Sequence, residues 1–497
     1  MAGTGSPAIV IAGCGFGGIG LAVRLRKAGI RSFTILERAD DVGGVWREND
    51  YPGAGCDVPS RFYSFSFDQD YPWSRRWAPQ GEILDYLRRC VARHGIAPHI
   101  RFGTEVREAR FDARTGKWTI VTGTGERLEA DVFVSAVGLF NRPAFPAIPG
   151  RDGFRGAQFH SARWDHGVDL AGKSVAVVGT GASAIQFVPA IEPQVGRLDV
   201  FQRSAQYVLP KNDPGTPPPG RTMLHRLIAR FRTYWLFETG IPRRSSERMT
   251  AAGQAGFFAY LAAKVPDPDL RRRLTPDYPL GCKRVLFSDQ WFDAIQRPNV
   301  ALHHDPVAEI LPDGVRTRSG ATHRCDVIVY GTGFTTTDYL TPMRIVGLAG
   351  RELNDAWRDG VEAYLGLTVA GFPNFFMMYG PNTNVPGSIV YMLESQARYI
   401  VDAVRKLRRA RGRFADLRPA AQRRFNQTLQ RRLARTVLVR PNCHSYYRDA
   451  TGKVTVNWPG FMLEYRLRTW RIRRADYDFV PVGARAARPE GQPQAAE

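Results

Sequence analysis

The sequence predicts an α/β fold: two Rossmann-like dinucleotide-binding domains with a helical insertion. Two observations carry this. A glycine-rich turn between a short apolar run and a helical pattern occurs near the N-terminus and again near residue 180. Each turn is followed, 24 positions after its first glycine, by a charged residue that closes a second apolar run. A length of 497 residues suits two or three domains, and 43% hydrophobic with 23% charged residues is a globular balance. That composition excludes a disordered or fibrous chain.

The first unit opens with Ala8-Ile9-Val10-Ile11-Ala12, a continuous apolar run suited to a strand buried on both faces. The turn Gly13-Cys14-Gly15-Phe16-Gly17-Gly18 leads into a helix through Leu25. Phe33-Thr34-Ile35-Leu36 is the second strand, and it ends at Glu37. The second unit repeats the pattern. Ser174-Val175-Ala176-Val177-Val178 is a strand, and Gly179-Thr180-Gly181-Ala182-Ser183-Ala184 is the turn. A helix follows from Ile185, then the strand Leu198-Asp199-Val200-Phe201 leading to Arg203. Two further strands, 131–136 and 326–330, precede glycines, as expected of a chain returning to its first sheet. Residues 214–219 form a proline-rich turn, 223–264 read as mostly helical, and 402–413 read as a basic helix with a solvated face.

The charge balance is +22, and only eight of the 69 basic residues are lysine. No basic repeat interleaved with aromatics accompanies it, so a nucleic-acid partner is not expected. The apolar stretch 8–23 is short of the ~20 residues a span requires and is broken by glycines, so no integral membrane segment or signal peptide is expected. The six cysteines form no CxxC pair and are expected to be reduced thiols in a cytoplasmic protein. The histidines show no metal-ligand spacing, and no metal is expected.

The closing charges differ in sign. Gly13, Gly15 and Gly18 allow a tight turn and close approach to a pyrophosphate. Glu37 then accepts hydrogen bonds from a ribose 2′-OH and repels a 2′-phosphate, which suits FAD or NAD. Gly179, Gly181 and Ser183 open the second site, and Arg203 there favours the 2′-phosphate of NADPH.

Longer motifs carry a family resemblance. Phe154-Arg155-Gly156-Ala157-Gln158-Phe159-His160-Ser161-Ala162-Arg163-Trp164-Asp165 resembles the FxGxxxHxxxW(P/D) fingerprint of type I Baeyer–Villiger monooxygenases. Residues 43–57, with Gly43, Gly44, Trp46, Tyr51, Pro52, Gly53 and Asp57, resemble the family's GGxWxxxx(F/Y)PGxxxD pattern. Gly281-Cys282-Lys283-Arg284 resembles its NADPH-lysine and active-site-arginine segment. Cys443-His444-Ser445-Tyr446-Tyr447 with Trp458-Pro459-Gly460 resembles its C-terminal loop, and the similarity spans roughly 8–470. Two departures stand out: Gly55 where many members have arginine, and Tyr446 where many have tryptophan.

The resemblance implies FAD in the first site and NADPH in the second. It implies oxygen insertion from O2 beside a ketone carbonyl, through a C4a-peroxyflavin, to give an ester or lactone. Arg284 is the expected catalytic cation, oriented by Asp57, and Lys283 would join Arg203 on the 2′-phosphate. His160 is expected to act as a hinge coupling domain rotation to turnover rather than as a proton donor. Trp164 would anchor the same linker. Trp46, Tyr63, Val106 and Met392 are carried over as flavin-site positions, and Tyr446 as a cofactor contact. The expected division is 1–165 with 325–480 for FAD, 166–324 for NADPH with the insertion at about 211–279, and a disordered tail at 481–497. Competing readings are oxygenation of nitrogen or sulfur, an NADPH dehydrogenase without oxygenation, and a basic binding protein.

Overall fold

The computed structural model describes residues 6–218, 222–240, 246–336, 339–449 and 451–483. Most of the tail expected to be disordered lies outside them. Two five-stranded sheets dominate. In the first, Ile9–Ala12 is central, flanked in parallel by Phe33–Leu36 and Val132–Ser135, with Ile100–Arg101 and Phe375–Met377 at the edges. Ile9–Ala12 and Val132–Ser135 are buried along their whole length, with helices on one side and, on the other, an antiparallel layer whose Trp118 meets Phe133 with ring centres 5.9 Å apart. One of those helices, Phe16–Lys27, packs against the long helix Ile389–Arg409.

The second sheet orders Val300–His303, Arg197–Phe201, Ser174–Val178, Val327–Tyr330 and Ala157–His160, all parallel. This corrects the expected division at two places. Val327–Tyr330 pairs with Ser174–Val178, in register Val327 to Val175, and Ala157–His160 pairs with it on the far side. Both segments fall in the division expected for FAD, 1–165 with 325–480, yet both complete the second sheet. An apolar strand carries no mark of which sheet it joins; that is fixed by the register of its hydrogen bonds.

Two antiparallel layers attach to these sheets. Val106–Asp112, Lys117–Thr122 and Arg127–Ala130 form one, with Arg344–Val346 added in parallel at its edge. Val307–Leu311, Gly314–Thr317 and Thr322–Arg324 form the other. The region 211–279 holds the helices Met223–Gly240, Glu247–Lys264 and Pro268–Arg273. Ser246 caps the second of these by accepting from the Met249 amide at 3.3 Å, and Asp267 caps the third. No described helix is long and apolar enough to cross a membrane.

Two further expectations are corrected. The segment expected as a basic solvated helix at 402–413 is the last part of Ile389–Arg409, whose Val401, Ala403, Val404 and Leu407 are buried. The charged residues alternate with an apolar stripe that seals it onto the first core. The cysteines are not all reduced: Cys282 and Cys443 form a disulfide, with Cα atoms 5.4 Å apart, while Cys14, Cys56, Cys90 and Cys325 are buried free thiols. A pair separated by 161 residues leaves no spacing pattern in the sequence.

Candidate active site

The two turns have the same architecture. Gly13 has φ +103°, and a β-carbon there would stand 2.7 Å from the Ala136 carbonyl oxygen. Gly18 packs so closely under the turn that a β-carbon would collide with the Gly13 carbonyl. Gly15, by contrast, has only ordinary neighbours, the nearest being Gly44 Cα at 3.7 Å. In the second turn Gly179 has φ +107°, and its β-carbon would stand 2.5 Å from Gly331 O, while Gly181 keeps 3.8 Å from the same atom. Ser183 precedes the helix Ala184–Ile191.

Glu37 closes the first turn. Its buried carboxylate accepts from the Cys14 amide at 2.7 Å and the Ala39 amide at 3.0 Å, so the acid is fixed at the strand end. Beside this unit, Trp46 Nε1 donates to Tyr63 Oη at 3.1 Å, and the Tyr63 ring meets Phe16 edge-on at 5.1 Å. Val106 and Met392 belong to the same large core, Val106 at its margin and Met392 fully buried.

The second site gathers cations. Arg203 is exposed at the end of its strand. Lys283 Nζ donates to Ser204 Oγ at 2.7 Å and sits 4.2 Å from the centre of the Tyr278 ring. Partial burial and the positive charge of Arg203 both push the Lys283 pKa down, while Asp277 opposes them. Two cations held close together make a site that favours an added anion.

Between the two units, Arg284 Nη2 donates to Asp57 Oδ2 at 2.5 Å. Asp57 is mostly buried and Arg284 partly exposed. The Asp57 charge holds the guanidinium protonated well beyond its usual range, against the opposing effect of burial. Tyrosines surround the pair: Tyr51, Tyr379, Tyr446 and Tyr447 all interact electrostatically with it. Tyr446 and Tyr447 have ring centres 4.4 Å apart. The Cys282–Cys443 bond ties the segment carrying Lys283 and Arg284 to the loop carrying these two tyrosines.

The loop before Asp57 latches onto the second unit. Gly53 has φ +78° and packs against the Gln186 backbone; Gln186 Nε2 donates to Gly55 O at 2.9 Å, and Tyr51 Oη donates to Gln186 Oε1 at 2.9 Å. His160 ends the strand Ala157–His160 and is buried. Its Nδ1 accepts from the Ala162 amide at 3.1 Å, and burial lowers its pKa to about 4. It is therefore neutral near pH 7, with its one ring proton on Nε2. Trp164 packs edge-on against Phe159 at 5.0 Å, in the second core.

Comparison with known proteins then decides the family. A family model described as flavin-binding monooxygenase-like matches residues 8–244. The chain is 43% identical over 492 residues to a Baeyer–Villiger monooxygenase of Streptomyces coelicolor, covering 96% of this chain and 95% of that protein. It is 37% identical over 495 residues to a Baeyer–Villiger monooxygenase of Pseudomonas aeruginosa, covering 98% and 94%. It superposes on a solved structure of an oxidized steroid monooxygenase bound to NADP with a TM-score of 0.85 at 30% identity, covering 96% and 100%.

This chain belongs to the Baeyer–Villiger monooxygenases.

For a Baeyer–Villiger monooxygenase, its own departures now have surroundings. A β-carbon at Gly55 would stand 3.2 Å from Ala78 O, so this backbone runs tight against the neighbouring loop. Tyr446 lies beside Arg284 and Tyr447, a smaller ring than tryptophan in the same place. Sequence reading missed Tyr379 and Gln186. Tyr379 sits in a left-handed backbone, φ +59°, with its hydroxyl donating to Asn384 Oδ1 at 3.1 Å; the following Gly380-Pro381-Asn382 was the available turn signal. Spacing also concealed a cluster of possible metal ligands, since Asp199, His303 and His323 place ligand atoms within 4.8 Å of one another. Arg197 already holds that carboxylate, at 2.8 and 3.2 Å, so the cluster is neutralised as it stands.

Proposed function

We propose that the chain acts as an FAD- and NADPH-dependent Baeyer–Villiger monooxygenase, inserting one oxygen atom of O2 beside a ketone carbonyl to give an ester or lactone. The observation that carries this reading is the Asp57–Arg284 pair, with tyrosines around it, next to the loop that latches onto the second unit. The residues present fit both cofactors. Gly15 leaves its turn open, and Glu37 offers a fixed carboxylate suited to a free ribose 2′-OH, so Gly13, Gly15, Gly18 and Glu37 would hold FAD. Arg203 and Lys283 form a paired cation site suited to a 2′-phosphate, with Gly179, Gly181 and Ser183 on the pyrophosphate, so they would hold NADPH. Bound FAD, reduced by NADPH, supplies the activated oxygen.

Arg284 contributes a permanent positive charge that stabilises negative charge on the substrate's carbonyl oxygen. Asp57 fixes the guanidinium through its hydrogen bond and opposite charge. Trp46, Tyr63 and Val106 would wall the flavin side, with Met392 packed in the core rather than on that wall, and Tyr446 the nicotinamide side. His160, neutral and buried at the edge of the second sheet, positions the connection between units and transfers no proton. We assign FAD to the unit built on the first sheet and NADPH to the unit built on the second, including 157–160 and 327–330. We place the enzyme in the cytoplasm, where NADPH is maintained; the buried Cys282–Cys443 bond is screened there from soluble thiols.

The deciding experiment supplies a cyclic ketone and a thioether, each with NADPH and isotopically labelled O2. A lactone with one labelled oxygen per NADPH is expected. NADPH oxidation with the label absent from any product rejects the reading, and sulfoxide as the sole product turns it to heteroatom oxygenation.

A further inference from the structure

The helix Met223–Gly240 is amphipathic in the opposite sense from an ordinary surface helix. Its Arg230 and Glu238 face the protein. Arg230 donates to the Ser64 carbonyl at 2.9 Å and stands 3.8 Å from the Glu394 carboxylate. Glu238 is buried and caps the helix Met462–Arg468, accepting from the Met462 and Leu463 amides at 2.9 Å each. Tyr234 and Phe237 pack inward as well, but six large apolar side chains face outward: Leu224, Leu227, Ile228, Phe231, Trp235 and Leu236 are between 47% and 67% exposed. The ion pair and the cap fix the rotation of the helix, so this apolar stripe cannot turn inward.

The stripe continues past the Glu238 cap. Phe461, Leu463, Leu467 and Trp470 are between 44% and 63% exposed. A contiguous apolar surface of this kind marks an interaction site. Its borders are cationic. Arg232 lies on the same helix, Arg398 stands 4.0 Å from the centre of the Trp470 ring, and Arg466 and Arg471 flank it. Among the described residues none of these four has an acidic partner at salt-bridge distance. The nearby Glu464 is taken by Arg432 and Arg468. A second copy docked here would press arginines against arginines, whereas an anionic lipid surface complements both the apolar stripe and its borders.

We propose that the surface formed by Met223–Gly240 and residues 461–471 seats the enzyme on the anionic face of a phospholipid bilayer, lying in the interface without spanning it. The inference is independent of the oxygenation chemistry.

The test is flotation of the FAD-loaded full chain with vesicles of phosphatidylcholine alone and of phosphatidylcholine mixed with phosphatidylglycerol. Binding to the mixed vesicles only, weakened by salt, is expected. Each large apolar side chain withdrawn from lipid costs roughly ten-fold in partition, so F231E/W235E should lose about 100-fold. NADPH oxidation with a dissolved ketone should be unchanged in that variant, showing that it is folded. The charge reversal R232E/R471E should weaken binding to the mixed vesicles with the stripe intact. Failure to bind the mixed vesicles, equal binding to neutral ones, or a concentration-dependent dimer abolished by F231E/W235E overturns the proposal.

Discussion

Removing Arg203 tests the cation site most directly. In the proposed assignment Arg203 and Lys283 share one phosphate, so Arg203→Ala deletes a charge-assisted hydrogen bond worth about 1.5–3 kcal/mol, or roughly 10- to 150-fold in NADPH affinity. NADH lacks that phosphate and should bind almost as before. The structure adds a second consequence. Burial and the charge of Arg203 depress the Lys283 pKa in the free enzyme, and a bound phosphate favours its protonated form. NADPH affinity therefore holds below the free-enzyme pKa of Lys283 and falls as pH rises through it. Deleting Arg203 removes one of the two causes of the depression, so the same fall should move to higher pH. Titration of NADPH and NADH binding across alkaline pH, in the native enzyme and in Arg203→Ala, reads both effects. An unchanged NADPH-to-NADH preference, or an inflection that stays in place in the variant, refutes the shared-phosphate site.

Three other predictions concern different parts of the molecule. Arg284→Ala should leave anaerobic flavin reduction by NADPH largely intact and abolish ester formation, with Arg284→Lys restoring part of it; stopped-flow reduction and product analysis separate the two steps. His160, with its pKa lowered to about 4 by burial, contributes stability that is full above its unfolded value near 6.5 and is lost as pH falls toward 4. The loss amounts to roughly 3 kcal/mol and should be absent in His160→Asn, as followed by denaturant unfolding at graded pH. Reducing the Cys282–Cys443 bond, or Cys443→Ser, frees a loop of 161 residues, an entropic stabilisation of up to about 5 kcal/mol, and should lower the temperature at which flavin fluorescence is released.

The local backbone pattern was legible in the sequence because it is written over a few residues. Gly13 and Gly179 occupy positive-φ positions that glycine alone takes without strain, and the charges of Glu37 and Arg203 follow at one fixed spacing. Motifs over 43–57 and 154–165 likewise carried the family. Pairing over distance was not legible. Asp57 and Arg284 lie 227 positions apart; their meeting was expected only through the family resemblance, not from anything local to either. The disulfide and Tyr379 join the same centre from elsewhere in the chain, and neither leaves a local spacing that predicts it.

By itself, then, the sequence determined where the chain turns and which family the motifs belong to, and its two closing charges are the basis for the nucleotide proposed at each turn. Only the tertiary structure decided which sheet takes Val327–Tyr330, which cysteines bond and which way the helix Met223–Gly240 faces. The physical reason is common to all three. Periodicity defines the faces of an element, but what each face meets depends on partners remote in the chain. Here an ion pair at Arg230 and the Glu238 cap share the inward face with Tyr234 and Phe237, and Leu227, Ile228, Phe231 and Leu236 are left outward.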